Sequence, residues 1–270
     1  MHAWVFDIDG VIVDPVTKKA DHKILKHLST ILHNGDFLAF NTGRSFSWTK
    51  DTILETFSKY VLDSELLKNV FVVCEKGNVL GVYKDSMWEK KLLDDALPEV
   101  IESEIKHIIE TEFNDCMFLD TTKETMITAE MIEGFDMNLF EPRVKALDHK
   151  VNEILMNKKY ASLELKTEPS HIALDIQYED AGKHLGAERI EDFMMERGIK
   201  AKTIYMLGDS PSDSQMASEL QGNHHVVFVF VGPREKLNTD HLMCEIIYTK
   251  EHFTQGALEF LDKQPSLASK

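Results

Sequence analysis

The sequence predicts an α/β fold: a parallel sheet with helices on its faces, interrupted by an inserted α+β domain. Three observations carry this. Short apolar strands alternate with amphipathic helices at both ends of the chain. Hairpins replace that alternation in the middle. Three polar clusters each follow directly on a strand.

Taken in order, "HAWVF" (2–6) reads as a buried strand. Ile24, Leu25, Leu28, Ile31 and Leu32 then recur at helical spacing, and Gly35 suits the helix stop. "DFLAF" (36–40) is the second strand, a helix spans about Ser47 to Tyr60, and "VFVVC" (70–74) is the third strand. Leu97, Ile101, Ile105, Ile108 and Ile109 mark the next helix, and "CMFLD" and "TMITAEM" flank a polar turn. Val144, Leu147, Val151, Ile154 and Leu155 mark another helix, and "ASLELK" and "HIALDIQ" flank "TEPS". This α-β-β-α-β-β stretch is a weak internal repeat, and residues 86–178 are expected to form the inserted domain. The rest, 1–85 and 179–270, forms the α/β domain. Its second part holds a helix with Leu185, Ile190 and Phe193, the strand "TIYML" (203–207), a helix over about Ser212 to Leu220, and "VVFVFV" (226–231). "EIIY" and a short helix near 256–262 close the chain.

Composition narrows the function. The chain has 270 residues, 43% hydrophobic and 28% charged, as in globular proteins. A net charge of -16 argues against nucleic acid or an anionic membrane as the main partner. Three cysteines, Cys74, Cys116 and Cys244, are widely spaced, so neither a zinc site nor a disulfide framework is expected. With no signal-like N-terminus and no run of 18 apolar residues, a cytoplasmic location is expected.

The polar clusters carry the chemistry. "DIDG" follows the first strand, "NTGR" the second, and "GDSPSD" the strand at 203–207. Each alone is equally a solvated turn or a helix cap. Together, at strand ends of one βα framework, they point to a ligand site. Asp7, Asp9, Asp209 and Asp213 would converge there, and so many carboxylates need a cation between them. Oxygen donors without His or Cys select a hard ion, Mg²⁺ by preference. The Thr42 hydroxyl and the close backbone approach allowed by Gly10 and Gly43 suit a phosphate, with Lys183 the candidate counter-charge. For Lys183, a solvated lysine on a helix turn is the competing reading.

In this order "DIDGVIVD", "NTGR", Lys183 and "GDSPSD" resemble the four motifs of the haloacid dehalogenase-like (HAD) hydrolase superfamily. An insert of two αββ units between the second and third motifs resembles the cap of its Cof-type sugar phosphatase and phosphomannomutase-like branch. The resemblance implies a Rossmann-like core with an αββαββ cap. It also implies a Mg²⁺-dependent phosphatase working on a small phosphorylated metabolite, such as a sugar phosphate, through an aspartyl-phosphate. Asp7 would be the nucleophile and Asp9 the acid and then base. Gly10, Thr42, Gly43 and Lys183 would hold the phosphoryl group. Asp7, the carbonyl of Asp9, and Asp209 would bind the metal, with Asp213 supporting it. Arg44, one residue beyond Gly43, is a candidate substrate contact. A phosphomutase of the same fold and a non-catalytic phosphate-binding module are the alternatives. The sequence departs from the branch pattern at Ser212, His184 and "EKGN" (75–78), which bear on substrate type. Gly81 and Gly182 are expected at hinges of the cap. Lys123 and His171 lie at its turns, where solvated side chains are the simpler reading. Met194 and Met195 read as core filling.

Overall fold

The computed structural model describes residues 1–93, 96–157, 159–170 and 172–267, so His171 lies outside the described residues. The elements run in chain order as β1 (Ala3–Phe6), α1 (His22–His33), β2 (Phe37–Asn41), α2 (Phe46–Thr49), α3 (Glu55–Ser58), β3 (Val70–Cys74), β4 (Val79–Lys84) and β5 (Met87–Leu92). Next come α4 (Glu99–Ile108), β6 (Met117–Leu119), β7 (Ile127–Met131), α5 (Met137–Leu155), β8 (Leu165–Pro169) and β9 (Ala173–Tyr178). The chain finishes with α6 (Lys183–Glu196), β10 (Ile204–Gly208), α7 (Ser214–Leu220), β11 (Val226–Phe230), β12 (Glu245–Tyr248) and α8 (Phe253–Asp262). None of the described helices is long and apolar enough to cross a membrane.

Two compact units result, Met1–Leu93 with Gly182–Lys270, and Asp94–Ala181. The first holds an eight-stranded sheet in the order β12-β11-β10-β1-β2-β3-β4-β5. Its strands pair in parallel from β12 to β3, and antiparallel from β3 to β5. Residues of β1 alternate between the faces: Trp4 and Phe6 pack with α1 and α8, Ala3 and Val5 with α6 and α7. Both faces are therefore apolar, as a central parallel strand requires. The helix after β1 and the helix after β10 lie on opposite faces, although the two strands are neighbours. Diverging connections leave a crevice at the carboxyl ends of these strands.

The second unit is a four-stranded antiparallel sheet in the order β6-β7-β9-β8. Ile101 and Ile105 of α4 and Val144, Leu147 and Val151 of α5 pack on Ile127, Ala129, Leu174 and Ile176 of its central strands. The sheet order is symmetric, as two αββ units paired through β7 and β9 produce.

Several local readings change. The unit boundary falls at Leu93 rather than 85, because β5 pairs with β4 and so belongs to the large sheet. Gly81 is no hinge: it lies inside β4, buried, where an added Cβ would stand 2.4 Å from the Phe46 ring. The helix expected over 47–60 is present over 46–58 and widens into a π-turn at Lys50–Leu54 between α2 and α3. Residues 161–163 form a short turn, and strand β8 starts at Leu165. Met194 is buried, but Met195 is 64% exposed and fills no core. The three cysteines are free thiols.

Candidate active site

Asp7 extends β1 by one residue: its N–H donates to the Leu207 carbonyl at 3.0 Å. The chain then turns tightly, with the Ile8 carbonyl accepting from the N–H groups of Ile12 and Val13, both at 2.9 Å. Gly10 in this turn has φ +75°, and a Cβ there would fall 2.3 Å from Asp209 Oδ2. Only glycine combines that dihedral with that approach. Asp209 follows β10, so the turn after one strand is pressed against the carboxylate after its neighbour.

Asp213 is fully buried, and its Oδ2 accepts from the N–H of Asp209 (3.1 Å), the N–H of Ser210 (3.0 Å) and Ser210 Oγ (2.7 Å). This closes the loop after β10 as a capping box. Asp213 Oδ1 lies 2.7 Å from Lys183 Nζ. The same ammonium donates to Asp7 Oδ1 at 2.6 Å and to the Asn41 carbonyl at 2.7 Å. Lys183 thus spends its donors inside the fold, buried at the first turn of α6. The reading of Lys183 as a solvated lysine is set aside by this burial. Asn41 returns the contact, donating from Nδ2 to the Lys183 carbonyl at 2.9 Å.

Asp7, Asp209 and Asp213 each offer one carboxylate oxygen within 4.8 Å of the other two. The electrostatics report a surplus of negative charge. Burial, with the Asp213 charge, pushes Asp7 up to about 7 against the opposing pull of Lys183. Burial and the charges of Asp213 and Asp7 push Asp209 up to about 8. For Lys183, burial acts downward, but Asp213 and Asp7 overcome it and hold the ammonium above its usual value. A small cation among the three oxygens would relieve this surplus, and the all-oxygen donor set suits a hard divalent ion.

Asp9 stands apart. Its carboxylate is not in that cluster but in a bidentate pair with Arg44, Nε to Oδ2 at 2.8 Å and Nη2 to Oδ1 at 2.9 Å. Burial acts to raise the Asp9 pKa, and the Arg44 charge outweighs it, so the group lies below the usual carboxylate range. The Arg44 guanidinium also lies 4.6 Å from the centroid of Trp48. The residue read as a substrate contact is therefore placed on the second aspartate. Thr42 is buried, and its Oγ1 accepts from the Arg44 N–H at 3.1 Å.

Glu75 and Lys76 escaped the sequence reading as site residues. Both are buried, and both take left-handed backbone, φ 47° and 55°. The Lys76 N–H donates to the Thr42 carbonyl (3.2 Å), its carbonyl accepts from the Gly182 N–H (2.9 Å), and its Cε would lie 3.5 Å from a Cβ on Gly43. The segment thus ties the loop after β2 to the start of α6. The signal was "EKGN", two charges directly after an all-apolar strand.

No protein-family model matches the chain, and no curated protein does. Solved structures do. The C-terminal domain of C. albicans trehalose-6-phosphate phosphatase aligns with TM-score 0.70 at 15% identity, covering 99% of this chain and 93% of that one. A haloacid dehalogenase-like hydrolase from Bacteroides thetaiotaomicron aligns with TM-score 0.64 at 12% identity, covering 97% of this chain and 98% of that one. Plasmodium falciparum IMP-nucleotidase aligns with TM-score 0.54 at 16% identity over 77% of this chain and 52% of that one. With a parallel sheet carrying the acidic strand ends, and a second α+β unit inserted before α6, this chain has the haloacid dehalogenase-like hydrolase fold.

Proposed function

We propose that the protein is a Mg²⁺-dependent phosphatase of a small phosphorylated metabolite, such as a sugar phosphate, working through an aspartyl-phosphate. The observation that carries this reading is the division of four aspartates into two environments. Asp7 lies with Asp209, Asp213 and Lys183, while Asp9 is held separately by Arg44. A binding site alone has no use for the second, differently tuned carboxylate; a two-step transfer does. The solved neighbours include phosphatases named for trehalose-6-phosphate and IMP, which agrees with a small phosphate ester as substrate.

In the first step an Asp7 carboxylate oxygen attacks phosphorus and the ester P–O bond breaks. The leaving oxygen takes a proton from Asp9. In the second step water attacks the phosphoryl group, Asp9 takes a proton from it, and the bond to Asp7 breaks. Asp7 must be ionised to attack, and the Lys183 ammonium at 2.6 Å favours that form. Asp9 must carry a proton to act as acid, so the Arg44 pair has to loosen when substrate enters. Thr42 and the N–H groups around Gly10 and Gly43 would orient the phosphoryl oxygens. Asp7, Asp209 and the Asp9 carbonyl would hold the metal, and Asp213, which fixes Lys183 and the Asp209 N–H, would support them. When bound, the cation neutralises charge on the transferring oxygens.

The test is turnover of a phosphate-ester panel with Mg²⁺, reading both free phosphate and any isomerised sugar phosphate. Asp7→Asn is expected to abolish turnover while the melting temperature stays at or above that of wild type. A folded Asp7→Asn protein with near wild-type activity would refute the mechanism. Isomerised product without free phosphate would mark a mutase.

A further inference from the structure

Away from the aspartates, one flank of the first unit carries a cleft of about 440 Å³. Its floor is Phe71, Leu80 and Val82 on β3 and β4. Glu89 and Lys91 stand opposite Val82 and Leu80 in the β4–β5 register and so rise from the same face. The other wall is α6, where Arg189, Asp192, Phe193 and Glu196 follow at the 3, 1 and 3 spacing of one helical stripe. The stripe of α6 that packs on the sheet is Ala187, Ile190 and Met194; this row flanks it, and its one apolar member, Phe193, stacks on Phe71 with centroids 4.1 Å apart.

The cleft's polar groups are arranged as a receptor would arrange them. Arg189 Nε is buried and has no hydrogen-bond partner. A guanidinium in that state accepts a planar anion, and carboxylate fits its fork. Both walls, however, present both signs: Glu89, Lys90 and Lys91 on the strand, and Arg189, Asp192 and Glu196 on the helix. Three acidic side chains (Glu89, Asp192, Glu196) balance three basic ones (Lys90, Lys91, Arg189), so the lining has no positive surplus for a phosphate or other polyanion and suits a ligand carrying both charges. The acidic side chains offer acceptors for a ligand ammonium in the same cleft as the group that takes its carboxylate. The half-buried Leu80, Val82 and Phe193 supply contact for an apolar body. The volume lies within the range of small-molecule sites.

We propose that this cleft is a second ligand site, distinct from the aspartate cluster, which binds a zwitterionic amino acid with an apolar or aromatic side chain. Its carboxylate pairs with Arg189, its ammonium with the acidic side chains, and its side chain lies on Leu80 and Val82 beside the edge of Phe193, whose faces are covered by Phe71 and Arg197. The proposal does not depend on the phosphatase reading, because none of these residues belongs to the aspartate site.

Calorimetric titration of the full chain tests it, with L-phenylalanine, L-leucine, phenylacetate and phenethylamine as the probes. The zwitterions are expected to bind, with phenylacetate and phenethylamine at least tenfold weaker. Arg189→Met should weaken zwitterion binding at least tenfold while hydrolysis of a nitrophenyl phosphate is unchanged. Val82→Trp, which fills the floor, should do the same without touching a charge, and guards against a folding defect in the first variant. Absence of binding by either amino acid, equal affinity for phenylacetate, or unchanged affinity in both variants would overturn the proposal.

Discussion

Asp7 and Asp209 both lie above the value near 4 of an unfolded aspartate. Between the two values the folded state holds more protons than the unfolded one. Their contribution to stability is therefore full below about pH 4 and is lost as pH rises through about 7 and 8. In metal-free protein the melting temperature should fall from pH 5 to pH 9. Added Mg²⁺ should raise it more at pH 8 than at pH 6, because only ionised carboxylates hold the ion. Asp209→Asn should flatten the slope in melts without metal; an unchanged slope would leave general charge repulsion as its cause. Arg44 makes the opposite prediction for Asp9. Arg44→Leu removes the charge that keeps this buried group low, so its pKa should rise. The basic limb of kcat/KM for an alkyl phosphate should then move to higher pH. A limb that stays in place would separate Asp9 from the acid role.

At the scale of elements, α6 is positioned by a contact that leaves no room for a methyl group. A Cβ on Gly186 would lie 2.2 Å from Asn41 Oδ1, and Asn41 Nδ2 holds the Lys183 carbonyl. The start of α6 and the end of β2 are thereby locked, and Lys183 Nζ is aimed at Asp7 by that lock. Gly186→Ala should cost about 1–3 kcal/mol from overpacking. It should also lower kcat more than it alters KM, by as much as about 100-fold if Lys183 moves by 1 Å. Equilibrium unfolding and steady-state kinetics on the same preparation check this. Full activity with reduced stability would mean that the helix start adjusts without moving Nζ. The positive φ values at Glu75 and Lys76 belong to the same junction, because their backbone groups bridge Thr42 and Gly182.

For the whole molecule, all the proposed catalytic residues lie in the unit formed by Met1–Leu93 and Gly182–Lys270. That unit has an apolar core on each face of its sheet. Its two inner junctions are tied to nearly the same place: the Leu93 N–H donates to the Asn78 carbonyl at 2.9 Å, and the Gly182 N–H to the Lys76 carbonyl at 2.9 Å. A short flexible linker should therefore replace 94–181 without unravelling the sheet. The excised protein is expected to unfold cooperatively and to bind Mg²⁺, while the preference order across a phosphate-ester panel changes. Calorimetry and kcat/KM across the panel decide it; an unchanged order would put specificity within the first unit.

What the sequence determined was whatever depends on periodicity and on strand ends. Alternating apolar strands and amphipathic helices are local patterns, so the α/β class and the αββ repeat could be read directly. Acidic clusters placed immediately after strands likewise pointed to the place where Asp7, Asp209 and Asp213 meet, whereas Asp9, expected to converge with them, pairs with Arg44 instead. Tertiary structure decided what depends on which side chains meet. Arg44 looks like a free cation in "NTGR", but it pairs with Asp9, which is 35 residues away in sequence. Strand β5, "MWEKKL", is too polar to read as a strand and is held by pairing to β4 at the sheet edge, where lysines are tolerated. Lys183 has the composition of a surface helix residue; its burial follows from the convergence of β1, β2 and α6. Local pattern records how a segment would bury itself, but a charge's partner is set by the fold that brings distant strand ends together.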